Sequence, residues 1–510
     1  MRFLCALCIS ALAWAGPNDS AEAYRAEVAK QAALDNAAGA RALVKLWSAN
    51  EAKIAPLRKD IARLRAKRTK EDRKLRKERD ERKRSAIRTR IAELVDDYIE
   101  VDRRLSPLEL RRVDLLHAID GLKSKEAIGW LCTEGLGRID EALLRSAIGK
   151  LAVRSGAVDA DTLRAALAQS KKPELVVPLL QALARHGKND STALNEVVLG
   201  FLDHKDWAVR VAAAYALATM ADPSGVEPII VALKKAPNRS REQHQLAAAL
   251  SRYTGQSLGP YPDLWEKWWA AEKNNVLSGR MPLGKGNVAD GAKSDQGRFY
   301  GIPQTAERII YIVDISGSME VSMVDPQWID GEPVPARNDE DSRYDAALRE
   351  LLRATRKLRP RSTFAVFVYS SKARGLHEKM THATKDNLAK LEQEFVHMGP
   401  EGSTNIYEAL EEALRFAGIY SAGTTGKRKQ VADAIYLLSD GAPTDAKGKA
   451  EDPSRVLVAV REWNALQRIA IHTIGIGKQH SAAFLKQLAE DNGGQYYGVG
   501  TEKKKRERRK

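Results

Sequence analysis

The chain has 510 residues, of which 44% are hydrophobic and 29% charged, and a formal net charge of +16. That length excludes a single ordinary domain and calls for about three, and the composition calls for packed cores beside at least one highly charged segment. So basic a chain favours anionic surfaces, without choosing among nucleic acid, anionic lipid and acidic polysaccharide.

The N-terminus reads as a secretory signal peptide over residues 1–15. Met1-Arg2 is followed by an apolar run to Ala13, and Ala13-Trp14-Ala15 supplies the small-x-small pattern of a cleavage site. Its removal takes Cys5 and Cys8 and leaves Cys132, so the mature chain is expected to hold together without an internal disulfide. No later stretch is long and apolar enough to cross a bilayer. The expected destination is the periplasm, the cell envelope or the cell exterior.

Residues 16–107 read as long helices. Ile54, Leu57, Ile61 and Leu64 step by three and four, as do Ile87, Ile91, Leu94, Tyr98, Val101 and Leu105, the spacing of coiled-coil seams. Between them, residues 65–84 are almost wholly charged, and the seam is expected to give way to a solvated helix laced with ion pairs. The sharper alternative is an anionic surface bound by this basic stretch. It contains no aromatic residue, so stacking on single-stranded nucleic acid, and specific nucleic-acid binding generally, are not expected. Pro107 is expected to mark the exit from this region.

Over residues 108–274 the pattern changes to short amphipathic helices. One spans Leu175 to Ala184; another runs from Asp206-Trp207 through Val209-Arg210-Val211-Ala212-Ala213-Ala214 to Ala221-Asp222-Pro223, with a partner from Val226 to Lys235. The aspartate-aromatic opening, the alanine-rich core and the following proline resemble HEAT repeats, which bury a continuous core only by stacking. The resemblance implies a binding scaffold. Trp265, Trp268 and Trp269 share one helix face and are expected to close the end of the solenoid. Residues 275–304, rich in Gly, Asn, Asp and Ser, read as a linker. Gly284-Lys285-Gly286 lacks the spacing of a phosphate loop.

From residue 305 to 500 strands and helices alternate. Ile309 to Val313, Thr363 to Tyr369, Ala434 to Leu438, Ile469 to Ile476 and Gln495 to Val499 read as strands, with helices over 344–358, 385–395, 406–416, 454–466 and 482–490. This is the pattern of an α/β doubly wound, Rossmann-like sheet, which makes the whole chain multidomain: an all-α N-terminal part followed by an α/β domain. The run Ile309-Ile310-Tyr311-Ile312-Val313 is apolar throughout, as a strand buried on both faces requires. Its last residue, Asp314, is thereby delivered to the carboxyl edge of the sheet, where open α/β folds bind ligands. Asp314-Ile315-Ser316-Gly317-Ser318 offers hard oxygen donors suited to Mg²⁺, Mn²⁺ or Ca²⁺.

Three motifs, Asp314-Ile315-Ser316-Gly317-Ser318, Gly402-Ser403-Thr404-Asn405 and Leu438-Ser439-Asp440-Gly441, together resemble the metal-ion-dependent adhesion site of von Willebrand factor A domains. The resemblance implies hydroxyl ligation by Ser316, Ser318 and Thr404, and Asp314 and Asp440 binding the ion directly or through water. It also implies an open position for an Asp or Glu carboxylate of a partner protein. Thr404, just before a helix, is placed to cap it as well. Two features depart from the family pattern. Residues 320–342 form an insertion carrying Asp325, Asp330, Glu332, Asp339, Glu340 and Asp341, any of which could occupy the open position; Ser403 stands where Gly is frequent.

No nucleophile elbow, cysteine metal site or phosphate loop accompanies His377, His382, His397, His472 and His480, which read as packing or solvent-facing residues. No enzyme is expected. Residues 501–510 form a basic tail. The sequence thus points to an exported protein that binds a partner through a divalent cation. The alternatives are a HEAT-based scaffold with a structural metal site and a polyanion-binding envelope protein. An adaptor beside a magnesium-chelatase-type ATPase is disfavoured by the apparent signal peptide.

Overall fold

The computed structural model describes residues 21–135, 141–156, 158–186, 191–283, 297–323, 328–329, 332–333, 342–396, 398–419, 430–478 and 480–499. The expected signal peptide, the basic tail, His397 and the acidic side chains of the insertion lie outside them. The chain forms two compact units, one ending at Thr162 and the other beginning at Leu163.

The first unit is helical: α1 (Ala21–Ala33), α2 (Ala37–Lys77), α3 (Glu81–Asp120), α4 (Lys125–Trp130) and α5 (Ala142–Ser155). Asn36 caps α2 by accepting from Gly39 N, and Asp80 caps α3 by accepting from Lys83 N. Arg84 closes the intervening turn by donating to the carbonyls of Leu75 and Glu78. Ile54, Leu57 and Ile61 of α2 and Ile87, Ile91, Tyr98 and Leu105 of α3 are buried, as the heptad spacing requires.

Three expectations for this unit are revised. The helix does not end at Pro107: α3 runs unbroken to Asp120, because buried Leu105, Val113, Leu115, Leu116 and Ile119 anchor it on both sides of the proline. That packing outweighs a cost of about 3 kcal/mol for an interior proline. α5 packs on α3, so residues 108–162 belong with the long helices rather than with the helices that follow. The basic run is solvated and ion-paired over most of its length, with Lys74 on Glu71 and Arg84 on Glu81, but its first turn is not. Arg65 and Arg68 are buried, and Arg65 donates to the Tyr98 hydroxyl at 3.1 Å with its guanidinium over the ring. Long arginine stems do there what leucines do earlier.

The chain crosses into the second unit within α6 (Ala160–Gln169) and continues as α7 (Pro173–His186), α8 (Ser191–Leu199), α9 (Trp207–Met220), α10 (Val226–Lys235), α11 (Arg241–Thr254) and α12 (Pro262–Leu277). Asp206 caps α9, whose buried alanines let it sit between α7 and α11. Cross-helix bonds recur at a spacing of about thirty residues. Arg210 pairs with Glu242 at 2.6 Å, Tyr215 with Gln245 at 3.3 Å, Lys234 with Glu266 at 2.7 Å, and Tyr253 donates to the Asp222 carbonyl. Trp265 and Trp269 are buried, while Trp268, edge-on to Trp265, is half-buried.

The last residues of the segment expected as a linker form regular structure. β1 (Arg298–Phe299) and β2 (Ile302–Pro303) form an antiparallel hairpin. Phe299 is fully buried, edge-on to Tyr311 and Tyr436. The main sheet follows with β3 (Arg308–Asp314), then the small hairpin β4 (Trp328–Ile329) and β5 (Glu332–Pro333) within the insertion. Next come α13 (Arg343–Arg356), β6 (Thr363–Tyr369), β7 (Ala373–Gly375), β8 (Thr381–His382), α14 (Lys385–Phe395) and α15 (Ile406–Phe416). β9 (Ala434–Ser439), α16 (Pro453–Trp463), β10 (Ala470–Ile476), α17 (Ala482–Asp491) and β11 (Tyr496–Val499) complete it.

The strand order is β11-β10-β9-β3-β6-β7, parallel from β11 to β6, with β7 and β8 antiparallel to β6. β3 lies at the centre. Ile310 and Ile312 face the core under α15, α16 and α17, while Ile309, Tyr311 and Val313 face that under α13 and α14. Each fully buried aliphatic side chain contributes roughly 1.5–3 kcal/mol.

The helices of this unit meet the sheet at its amino edge. Arg468 donates to Asp206, Arg241 Nε to the Gln467 carbonyl at 3.0 Å, Arg239 to Glu307 at 2.9 Å, and Trp207 Nε1 to Gln430 at 3.3 Å. The carboxyl edge is the opposite end of the strands, and Asp314 stands there. No helix among the described residues is long and apolar enough to cross a membrane.

Candidate metal centre

Asp314 ends the central strand and is completely buried. Its Oδ1 accepts from Ser316 N at 2.9 Å, which turns the chain sharply after the strand. Its Oδ2 accepts from the Tyr369 hydroxyl and from Ser439 Oγ, both at 3.0 Å. Those two residues end the strands on either side of β3, so one carboxylate is held by three strand ends. The turn brings Ser316 Oγ and Ser318 Oγ within 3.1 Å of each other, and Ser318 donates to Asp440 Oδ1 at 2.8 Å.

The second loop is laid against the first by backbone bonds: Gly317 N donates to the Gly402 carbonyl at 3.0 Å and Glu401 N to the Ile315 carbonyl at 2.8 Å. Gly402 has φ of 72°, in the left-handed region, and a Cβ there would lie 2.6 Å from Ser371 Oγ. Glycine is required on both counts. Thr404 N donates to Thr444 Oγ1 at 2.8 Å, and a Cβ on Gly441 would lie 3.5 Å from Thr404 Oγ1. The Thr404 hydroxyl therefore faces the start of the third loop beside Asp440. It does not cap the following helix, as the sequence suggested. Asn405 does so by accepting from Glu408 N at 3.1 Å. The structure thus brings Asp314, Ser316, Ser318, Thr404 and Asp440 to one edge of the sheet.

Two buried carboxylates so close are electrostatically costly. Burial, and then the neighbouring Asp440, push the Asp314 carboxyl up to about 7. Burial also raises that of Asp440, against the opposing pull of Arg343, whose Nη1 donates to Asp440 Oδ2 at 2.7 Å. Two acids facing one buried arginine leave a deficit of positive charge. The donors are carboxylate and hydroxyl oxygens, the set that suits Mg²⁺, Mn²⁺ or Ca²⁺ and not a thiolate- or imidazole-preferring ion. Among the described residues no group of three or more His, Cys, Asp or Glu gathers as a metal site would require; this centre has two carboxylates, and its other donors are hydroxyls. The residues present fit a divalent cation of the hard class.

Tyr369, Ser439 and Arg343 were not singled out from the sequence. Tyr369 is the final residue of a predicted strand, and the register Asp314↔Tyr369 turns it inward; Ser439 lies one residue past the strand as read from the sequence and ends β9 in the structure. For Arg343 the sequence carries no signal, because it follows a long insertion.

The C-terminal region is a von Willebrand factor type A domain: that family matches residues 338–498. The match begins after the strand that carries Asp314 and includes Thr404 and Asp440. The chain is 26% identical over 194 residues to the human inter-alpha-trypsin inhibitor heavy chain H4, covering 38% of this chain and 18% of that one. To the human inter-alpha-trypsin inhibitor heavy chain H2 it is 25% identical over 193 residues, covering 37% and 17%. The chain thus spans under a fifth of the length of these relatives. Among solved structures, a von Willebrand factor type A protein from Catenulispora acidiphila is 17% identical, covering 38% of each chain with a TM-score of 0.27. An aerotolerance-related membrane protein from Bacteroides fragilis NCTC 9343 is 16% identical, covering 38% of this chain and 90% of that one, also at 0.27.

Proposed function

We propose that this is an exported, non-enzymatic binding protein whose von Willebrand factor A domain recognises a protein partner in a divalent-cation-dependent way. Mg²⁺, or Mn²⁺ or Ca²⁺, would be held by Asp314, Ser316, Ser318, Thr404 and Asp440. The observation that carries this reading is the convergence of those five oxygen-bearing side chains at the end of the central strand, with two buried carboxylates set against one guanidinium. When bound, the ion supplies a Lewis-acidic position that an Asp or Glu carboxylate of the partner completes. Asp314, already accepting from Tyr369, Ser439 and its own loop, is suited to holding water toward the ion. The serine and threonine hydroxyls are suited to direct ligation, and neutral donors leave the ion electrophilic.

The helical layer of the second unit supports a second reading, as a HEAT-like scaffold with its own recognition surface. The recurrence of cross-helix bonds at about thirty residues favours it, as do the exposed side chains of Val231, Tyr261 and Leu264. The test is capture of partners from an envelope extract by the full chain with Mg²⁺, with chelator, and as Thr404→Ala, which spares the buried carboxylates. Loss of the same partners in the last two conditions is expected. Equal recovery in all three would move recognition to the scaffold, and loss only at high salt would move it to the basic segments.

A further inference from the structure

The centre contains one charged residue that a simple oxygen cage does not need. Arg343, the first residue of α13, is 4% exposed, and its Nη1 donates to Asp440 Oδ2. Its Nε and Nη2 have no hydrogen-bond partner among the described residues. Asp440 is therefore its main compensation. Gly477, at the carboxyl end of β10, provides its seat. With φ of 79°, a Cβ at that position would lie 2.7–2.9 Å from Nε, Cζ and Nη2 of the guanidinium. The approach to Arg343 is fixed as well. Ser322 and Ser342 form a β-bridge, Arg343 N donates to the Val321 carbonyl at 2.8 Å, and Ser342 caps α13 in a capping box with Asp345.

We infer that Arg343 sets the net charge of the metal centre, trading affinity for the cation against affinity for the anionic ligand that completes it. The inference rests on the metal-binding reading above. With both acids ionised, two carboxylates and one guanidinium sum to a single negative charge, and a divalent cation converts that to a single positive charge. Without the guanidinium the same residues sum to two negative charges, and the loaded centre becomes neutral. Arg343 thus weakens the pull on the ion and, in return, leaves the loaded centre cationic toward an incoming carboxylate. A surface arginine would be screened and free to turn away. This one is desolvated, and a glycine built to accept it holds it on Asp440.

The experiment titrates the full chain with Mn²⁺, following the free ion by electron paramagnetic resonance. Acetate is then added to the loaded protein, and its binding is read from water-proton relaxation. Arg343→Gln is expected to bind Mn²⁺ at least about tenfold more tightly than the unmodified chain and to lose acetate binding. Arg343→Lys, which keeps the charge, should stay near the unmodified chain in both. Gly477→Ala supplies a second route: it displaces the guanidinium without removing it, and should shift both constants in the direction of Arg343→Gln. Folding of each variant is checked by circular dichroism. Unchanged or weaker Mn²⁺ binding in folded Arg343→Gln, or in folded Gly477→Ala should Arg343→Gln not fold, overturns the inference while leaving the metal site in place. No Mn²⁺ binding by the unmodified chain removes the metal site and this inference together.

Discussion

Asp433 accepts from both arms of the Arg308 guanidinium, at 2.8 Å from Nε and 2.6 Å from Nη2. The same carboxylate accepts from the backbone N–H of Arg241 at 3.4 Å. It is almost completely buried, and it joins the start of β3 to the residue before β9 and to the first turn of α11. The amino edge of the sheet is thereby tied to the helices that meet it, at the end of the strands remote from Asp314.

Asp433→Ala should destabilise the protein by about 2 kcal/mol, less than for a fully buried pair because part of Arg308 reaches water. Urea unfolding measures the loss. Mn²⁺ affinity should be unaltered, since the proposed metal centre lies at the other end of the strands. A change in that affinity would show that the two edges are coupled.

Ser403 has more work than its position in the motif suggested. Its hydroxyl donates to the Asp445 carbonyl at 2.9 Å and lies 3.0 Å from Ser371 Oγ, which also accepts from Ser403 N. One side chain thus joins the second loop of the centre to the third and to the turn after β6. Ser403→Ala should cost about 1 kcal/mol of stability and weaken Mn²⁺ binding a few-fold, because Thr404 would be held by fewer contacts. Calorimetric titration beside a thermal melt separates the two effects. Unchanged Mn²⁺ affinity would confine Ser403 to stability.

In the first unit, Arg112 is fully buried between α2 and α3, with Nε 2.7 Å from Glu51 and its guanidinium over the Trp47 ring. Arg112→Ala should cost roughly 3–5 kcal/mol, because it removes a buried guanidinium that faces the Glu51 carboxylate and packs on the Trp47 ring. Replacing both residues, as Glu51→Met with Arg112→Met, should restore most of that stability, since a buried ion pair does little better than well-packed apolar groups. Additive losses in the two single variants and the pair would show that the charges do not interact.

Much of the second unit was legible because its signals are local. Five consecutive apolar residues ending in Asp314 identify a doubly buried strand, and Asp206 before an alanine-rich run identifies a capped helix. The strands β7 and β8 were not legible. They are two or three residues long, half-exposed and at the sheet's edge, so they carry no alternation to detect. The β1–β2 hairpin was hidden for another reason: its strands are two residues long, and the burial of Phe299 depends on Tyr311 and Tyr436, which are distant in sequence. Pro107 misled because a proline's penalty is local while the packing that overrides it is not. Arg65 and Arg68 misled because burial of a long side chain depends on what lies opposite, here Tyr98. The proposed metal ligands were readable as motifs, whereas the contacts of Arg343, Tyr369 and Ser439 depend on register and on a helix start displaced by an insertion.

His472 gives the protein a pH dependence whose sign follows from its surroundings. The ring lies flat against Tyr436, with centroids 4.6 Å apart, and its Nδ1 accepts from Gln495 N at 3.1 Å, a bond that only the unprotonated nitrogen can make. Burial, and then the nearby Arg241 charge, lower the His472 pKa to about 4. In the unfolded chain histidine titrates near 6.5. Between those values the unfolded chain takes up a proton that the folded protein refuses. The stabilisation is therefore fully present above about pH 6.5 and is lost as the pH falls toward 4, by at most about 3 kcal/mol. Urea unfolding between pH 4 and 7 measures it, and His472→Gln, whose amide oxygen can still accept from Gln495 N, removes the titrating group. The difference between the two curves should slope through that window and level off on either side. A flat difference would mean that His472 charges in the folded protein as readily as in the unfolded one.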